Sequence, residues 1–323
     1  MELIDGLKAQ IQGKNIKIVL PEATDVRILG AASRLNKEGI LIPVLIGNEE
    51  KVNSIAADNK IDIEGIEIID SNNYAEFDEM VASFVERRKG KVTEEDARKM
   101  LLDENYFATM LTYMGKVDGM VSGAIHSTGD TVRPALQIVK TKPGVSRTSG
   151  AFVMLKDDTK YIFSDCAINI ELDAEGLAGV AVESAKTAKI FGIDPKVAML
   201  SFSTMGSAKH DLATKVEEAT KMAKELDPTL PIDGELQFDA AIVPSVGAQK
   251  APESAVAGKA NVFVFPSLEA GNIGYKIAQR LGGFEALGPI LQGLNKPITD
   301  LSRGCNEEDV YKLSIITACQ SLN

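Results

Sequence analysis

Short apolar runs alternate along this chain with longer stretches in which apolar residues recur every three or four positions. Residues 16–20, 40–46, 67–70 and 117–122 read as strands, and helical periodicity covers 23–37, 74–88 and 93–114 between them. The last of these helices opens with the capping pattern Thr93-x-x-Asp96. A polar loop follows residue 122, and beyond it Pro134 suits the first turn of a helix. In the second half, 150–155 and 160–163 read as a hairpin, 174–191 and 212–226 as helices, and 197–202 as a buried strand. A strand at 261–265 then runs into Ser267 and Gly271, ahead of a helix at 272–281. Lys and Glu at helical spacings mark 212–226 as an exposed face. This alternation predicts the α/β class, with layered and mostly parallel sheets.

A chain of 323 residues with 45% hydrophobic content has room for two α/β domains with real cores. No internal repeat, low-complexity tract or flexible linker marks a boundary between them. The formal net charge of −11 argues against a nucleic-acid or anionic-membrane surface. Any anionic substrate must therefore meet locally basic sites, which singles out arginines beside glycines, hydroxyls or helix starts. Cys166, Cys305 and Cys319 include no Cys-x-x-Cys pair, which fits a reducing cytosol, and two histidines leave no zinc-type cluster. Met1-Glu2-Leu3-Ile4-Asp5-Gly6-Leu7-Lys8 carries charges where a signal peptide needs an apolar core, and no apolar run approaches the roughly 20 residues of a membrane span. The expectation is a soluble cytoplasmic protein.

The densest chemistry lies near the C-terminus, in Ser302-Arg303-Gly304-Cys305-Asn306-Glu307-Glu308-Asp309. Asn306 reads as an N-cap, with three acids in the first turn and apolar Val310, Leu313 and Ile316 behind them. Arg303 offers a planar fork for phosphate oxygens, Ser302 a neutral donor, and Asp309 a carboxylate able to take a proton. The spacing fits equally an Asn-x-x-Asp capping box beside a surface arginine. Arg133 sits between a Ser/Thr/Gly loop that follows a strand and Pro134, where open α/β sheets place ligands. Arg87, within Glu86-Arg87-Arg88-Lys89-Gly90-Lys91, reads by itself as a basic helix end. Ser127, Thr128 and Gly129 offer hydroxyls and backbone donors, or ordinary turn chemistry. Residues 269–272, ahead of a helix, present the same two readings. His126 reads as a hydrogen-bonded loop histidine rather than a general base.

Asp300-Leu301-Ser302-Arg303-Gly304-Cys305, with the helix at Asp309, resembles the C-terminal signature of the phosphate acetyltransferase (phosphotransacetylase) family. The blocks 121–137, 232–241 and 271–276 resemble further family motifs, and the match runs from about residue 16 to the C-terminus. The resemblance implies two α/β domains of the isocitrate/isopropylmalate dehydrogenase-like architecture, residues 1–142 with 294–323 and residues 143–293, with the active site in the cleft between them. It implies reversible acetyl transfer between acetyl phosphate and coenzyme A, releasing phosphate, by direct attack of the thiolate in a ternary complex. The implied partners are small molecules, coenzyme A being a substrate and no cofactor tightly bound, and the implied assembly is a homodimer. By the same resemblance Asp309 matches the proposed base, Arg303 the phosphate-binding arginine, and Ser302 a hydroxyl that stabilises the transition state or orients the thiol. Arg133 and Arg87 match arginines used around coenzyme A and the active site, and the hydroxyls of Ser127 and Thr128 are candidate donors to the acyl phosphate. Cys305, beside Arg303 at a helix N-terminus that would favour thiolate, is a neighbour of the site rather than its nucleophile. The chain departs from the family at Met205, where lysine is common, and at His210, where serine is common. Phosphate butyryltransferases share the chemistry, and a non-catalytic acetyl-CoA sensor shares the architecture. Against the sensor stands the presence of Asp309.

Overall fold

The computed structural model describes residues 2–322, apart from the side chain of Glu2. Its strands are β1 (Lys17–Leu20), β2 (Ile42–Ile46), β3 (Glu67–Ile69), β4 (Gly119–Ser122), β5 (Ser149–Lys156), β6 (Thr159–Ser164), β7 (Val197–Leu200), β8 (Ile232–Leu236), β9 (Val262–Val264), β10 (Glu285–Gln292) and β11 (Ile298–Asp300). The chain divides into two compact units, with Thr141–Gly293 forming the second and the chain re-entering the first at Leu294.

The first unit carries a five-stranded, wholly parallel sheet in the order β11-β4-β1-β2-β3. Ile18, Val19, Leu20, Val44, Leu45 and Ile46 are all buried, as expected of strands covered on both faces. The helix Val26–Glu38 starts at Asp25, whose carboxylate accepts from the Arg27 amide, and ends at Gly39 in the left-handed conformation. The helix Glu307–Gln320 is buried along most of its length and packs on that helix and on β4. Tyr311 anchors it, with its hydroxyl on Glu38 at 2.6 Å and the Arg34 guanidinium 3.6 Å above its ring.

The second unit holds a six-stranded mixed sheet, β10-β5-β6-β9-β7-β8, antiparallel only where β5 meets β10 and β6. Phe263, fully buried on β9, packs edge-on against Tyr161 and Phe163 and is tilted against Phe238. Gln292 at the end of β10 satisfies a buried polar knot. Its Oε1 accepts from the hydroxyls of Ser149, Ser164 and Ser184, and its amide donates to Thr187.

The α/β class with mostly parallel sheets is what the alternation predicts, and several elements differ from their expected bounds. The helix expected over 93–114 is two helices, Glu94–Met100 and Glu104–Tyr113, because Asp103 is extended and caps the amides of Asn105 and Tyr106. Pro134 does not open a helix; it closes Thr128–Pro134 and leads into a π-helical turn, Ala135–Val139. The displacement arises upstream, where Ser127 and Asp130 cap the chain a turn earlier. The helix expected from 272 starts at Leu268, with Ser267 accepting from Ala270. The helices Glu2–Ile11 and Glu49–Asp58 and the strands β8, β10 and β11 went unrecognised in the periodicity. Among the described residues, no helix is long and apolar enough to cross a membrane.

Phe263→Ala should lower unfolding stability by about 3–5 kcal/mol through lost transfer energy and an unfilled cavity. Chemical denaturation followed by circular dichroism measures this, and a loss below about 1 kcal/mol would mean the aromatic cluster collapses around the gap.

Candidate active site

In the first sheet the carboxyl ends of β1, β4 and β11 lie side by side, with Asp300 level with Ser122. The three loops that leave those ends are therefore neighbours, at the edge where parallel α/β sheets bind ligands. They carry Glu22, Gly123–Thr128 and Leu301–Asn306.

Glu22 is the interior support of this edge. Its side chain is fully buried, and its carboxylate accepts from four consecutive amides, Gly123 at 3.0 Å and Ala124, Ile125 and His126 at 2.8 Å each. The His126 ring adds a contact from Nδ1 at 2.8 Å. Burial works against the charge on Glu22, but the imidazole and the amides outweigh it and hold the carboxyl below its ordinary range. The same carboxylate raises the His126 pKa against the effect of burial.

Arg27 joins two of the loops. Its Nε and Nη2 hold the Asp25 carboxylate at 2.9 and 2.8 Å, and Nη2 also reaches the Ala124 carbonyl at 2.8 Å. Nη1 donates to the carbonyls of Arg303 and Cys305, both at 2.9 Å. Asp25 answers with a lowered pKa, caused first by this hydrogen-bonded arginine. The close approach of β4 and β11 requires glycine at 123. The residue sits at φ +115°, and a Cβ there would stand 2.6 Å from the Leu301 carbonyl oxygen.

The residues expected at the site fall into three groups. Ser302, Arg303 and Asp309 share the turn and helix start that Arg27 anchors. The Ser302 hydroxyl oxygen accepts from the Gly304 amide at 3.2 Å, which leaves its proton free to be donated. Arg303 is exposed, and its guanidinium makes no hydrogen bond or ion pair among the described residues. Asp309 closes a capping box with Asn306, two hydrogen bonds of 2.9 Å, and one of its oxygens is committed there.

Ser127, Thr128 and Arg133 belong to the segment beside the Glu22 loop. The Ser127 hydroxyl donates to Asp130 at 2.6 Å, so its proton is already spent. Thr128 is exposed; its hydroxyl and that of Thr131 favour the charged form of buried Asp300, yet burial prevails and pushes Asp300 up to about 6. Arg133 is exposed, with no hydrogen bond from its guanidinium among the described residues. Arg87 stands apart in kind. Its guanidinium donates to the carbonyls of Ile138 and Val139 at 2.5 and 3.0 Å and lies 4.8 Å over the Tyr113 ring. It pins the turn that ends the helical segment bearing Arg133.

Cys305 departs from the thiolate expected of its position. It is 8% exposed, and burial raises its thiol pKa against the pull of Arg27. The thiol is thus protonated at neutral pH and unsuited to nucleophilic attack. Glu104, at the start of its helix, is pushed up to about 7 by burial. Glu22 and Arg27 carry no local sequence signal of a role here, Glu22 lying between the expected strand 16–20 and helix 23–37 and Arg27 inside that helix. An acid directly after the proline that follows a strand was the one available hint.

Glu22→Gln should cost about 1.5–3 kcal/mol of stability at neutral pH by weakening charged hydrogen bonds. A carboxyl lowered by folding stabilises fully above its ordinary value of 4.5 and loses that contribution as pH falls through the folded value. The gap between wild type and variant in urea denaturation should therefore narrow below about pH 4.5; a gap constant from pH 7 to 3 would show that Glu22 is not the charge supporting the loop.

A family model described as phosphate acetyl/butaryl transferase matches residues 2–318. The phosphate acetyltransferase of Staphylococcus epidermidis is 63% identical over 99% of both chains, and that of Bacillus subtilis is 60% identical, again over 99% of each. A phosphotransacetylase crystal structure from Streptococcus pyogenes superposes with a TM-score of 0.98 at 60% identity, covering 99% of this chain and 98% of that one. With the signature at Ser302–Asp309 inside the matched region, the chain belongs to the phosphate acetyl/butaryl transferase family.

Proposed function

We propose that this protein is a phosphate acetyltransferase that moves an acetyl group reversibly between acetyl phosphate and coenzyme A. The observation that carries this reading is full-length identity of 60–63% to phosphate acetyltransferases. An unpartnered arginine and a free hydroxyl proton, side by side in the Ser302–Arg303 turn, add physical support.

The chemistry asks for three things. A thiol with a pKa of about 8.5 must lose its proton before it attacks the acetyl carbonyl. Asp309 takes that role, since its second oxygen is not used by the capping box. Negative charge then gathers on the carbonyl oxygen and the departing phosphate, where fixed donors matter most. The Arg303 fork receives phosphate oxygens and the Ser302 hydroxyl donates to the reacting group. Coenzyme A brings its own phosphates, for which Arg133 is the exposed cation. Arg87 serves that binding by fixing the turn after Arg133 through the carbonyls of Ile138 and Val139. Ser127 and Thr128 offer further hydroxyls to the acyl phosphate, the Ser127 proton being directed to Asp130 and the Thr128 hydroxyl to Asp300.

The same reading puts the enzyme in the cytoplasm as a homodimer. Three buried cysteines, none of them in a disulfide, suit a reducing compartment. On the helix Leu268–Arg280 and just past it, Ile273, Ile277 and Leu281 form an exposed apolar stripe suited to a second copy. Acyl preference rests on pocket volume, about 1–3 kcal/mol per methylene.

Thioester formation from coenzyme A should be fastest with acetyl phosphate in parallel assays with the propionyl and butyryl esters, and Asp309→Asn should lower its kcat by about 10²–10⁴-fold. A butyryl preference would reassign the substrate, and near-normal turnover of the variant would remove Asp309 from proton transfer. Arg303→Gln should raise KM for acetyl phosphate more than KM for coenzyme A. Equal effects on both would show that Arg303 is not a dedicated phosphate ligand.

A further inference from the structure

We propose that His126 is a further substrate-holding residue: with Nδ1 fixed by Glu22, its Nε2–H donates to the phosphoryl oxygens of acetyl phosphate and of released phosphate. This inference rests on the acetyltransferase reading and adds a cation to its phosphate site. No bond is made or broken at the imidazole, which acts as a positioned donor.

The geometry leaves the ring little freedom. The His126 amide and Nδ1 both end on Glu22 Oε1 at 2.8 Å, so backbone and ring are held by one buried oxygen. Nε2 has no hydrogen-bond partner among the described residues, and the side chain is 26% exposed. Through Arg27, the Ala124 carbonyl two residues before His126 and the Arg303 carbonyl are bound to one guanidinium. The loop that presents Nε2 thus runs beside the turn that presents Ser302 and the Arg303 side chain.

The acids around His126 are already accounted for, so they do not exclude an anion. From the β1 loop, Glu22 spends its charge on four amides and the imidazole itself. From the neighbouring helix, Asp103 caps the amides of Asn105 and Tyr106, while Glu104, faced also by Lys51, is near half-protonated at neutral pH. From the segment that follows, Asp130 holds Ser127, with Arg133 next to it in charge. What remains outward is the Nε2 edge of a ring whose charged form Glu22 favours from behind.

The sign follows from the raised pKa. The charged donor is present below that value, which lies above the ordinary 6.5, and is lost as pH rises through it. The chain has two histidines, so the imidazole proton spectrum of the full enzyme holds two sets of signals, and His126→Gln assigns them. Titration of the wild type with inorganic phosphate should move the His126 pKa upward and leave that of His210 in place. His126→Gln and His126→Asn should lower kcat/KM for acetyl phosphate by about 10²-fold at pH 6.5, with KM for coenzyme A unchanged. The ratio of wild type to variant should shrink as pH rises through the His126 pKa. A His126 pKa indifferent to saturating phosphate, or a ratio constant with pH, would overturn the proposal. A wild type that forms no acetyl-CoA would instead remove the acetyltransferase reading, and the phosphate titration distinguishes that outcome.

Discussion

Glu22 determines the geometry of the candidate site more than any residue expected to touch substrate. A buried carboxylate without partners costs several kcal/mol, and four successive amides from a neighbouring loop remove that penalty only if the loop wraps tightly around it. The loop after β4 therefore has one conformation, which aims the first turn of Thr128–Pro134 and the ring of His126. The requirement is mutual. The loop amides would be unpaired without the acid, and the acid could not stay charged without the amides.

The second unit uses the same device. Asp165, 2% exposed at the end of β6, accepts from the amides of Gly150, Ala167, Ile168 and Asn169. Glu235, near the carboxyl end of β8, accepts from the Ser203 hydroxyl and the Gly206 amide, both at 2.8 Å. In each case a buried acid at or near the carboxyl end of a strand gathers the amides of the loops around it. A parallel sheet presents unpaired backbone groups at that edge, and a buried carboxylate satisfies several of them without the bulk of another element. Loops fixed in this way can carry chemistry with little reorganisation.

Arg27 illustrates a cation used for structure at the centre of the candidate site. Five hydrogen bonds from its three nitrogens are absorbed by Asp25 and three carbonyls, so its charge is neutralised in place and its role is to hold the turn of Ser302–Cys305. Arg87 does the same for the turn at Ile138 and Val139. At this edge, Arg133 and Arg303 are the arginines whose guanidinium makes no hydrogen bond among the described residues. Arginine count therefore says little about anion binding until the acceptors around each guanidinium are known.

By itself the sequence determined the α/β class, the apolar strands β1, β2 and β4, the cap at Asn306 and the cluster Ser302-Arg303-Asp309. Each is a local signal: hydrophobic period, capping spacing, or a motif contiguous in the chain. Only the tertiary structure decided that Arg27 holds the turn of that cluster from 276 residues away in sequence, and that Glu22 lies under the neighbouring loop that begins at Gly123, 101 residues on. It likewise decided that Ser127 is spent while Ser302 is free, that Arg87 is an anchor, and that Cys305 keeps its proton. The physical reason is the same throughout. A side chain's type and spacing set what it can donate or accept, whereas burial and the partners supplied by distant strands set whether that capacity is already used.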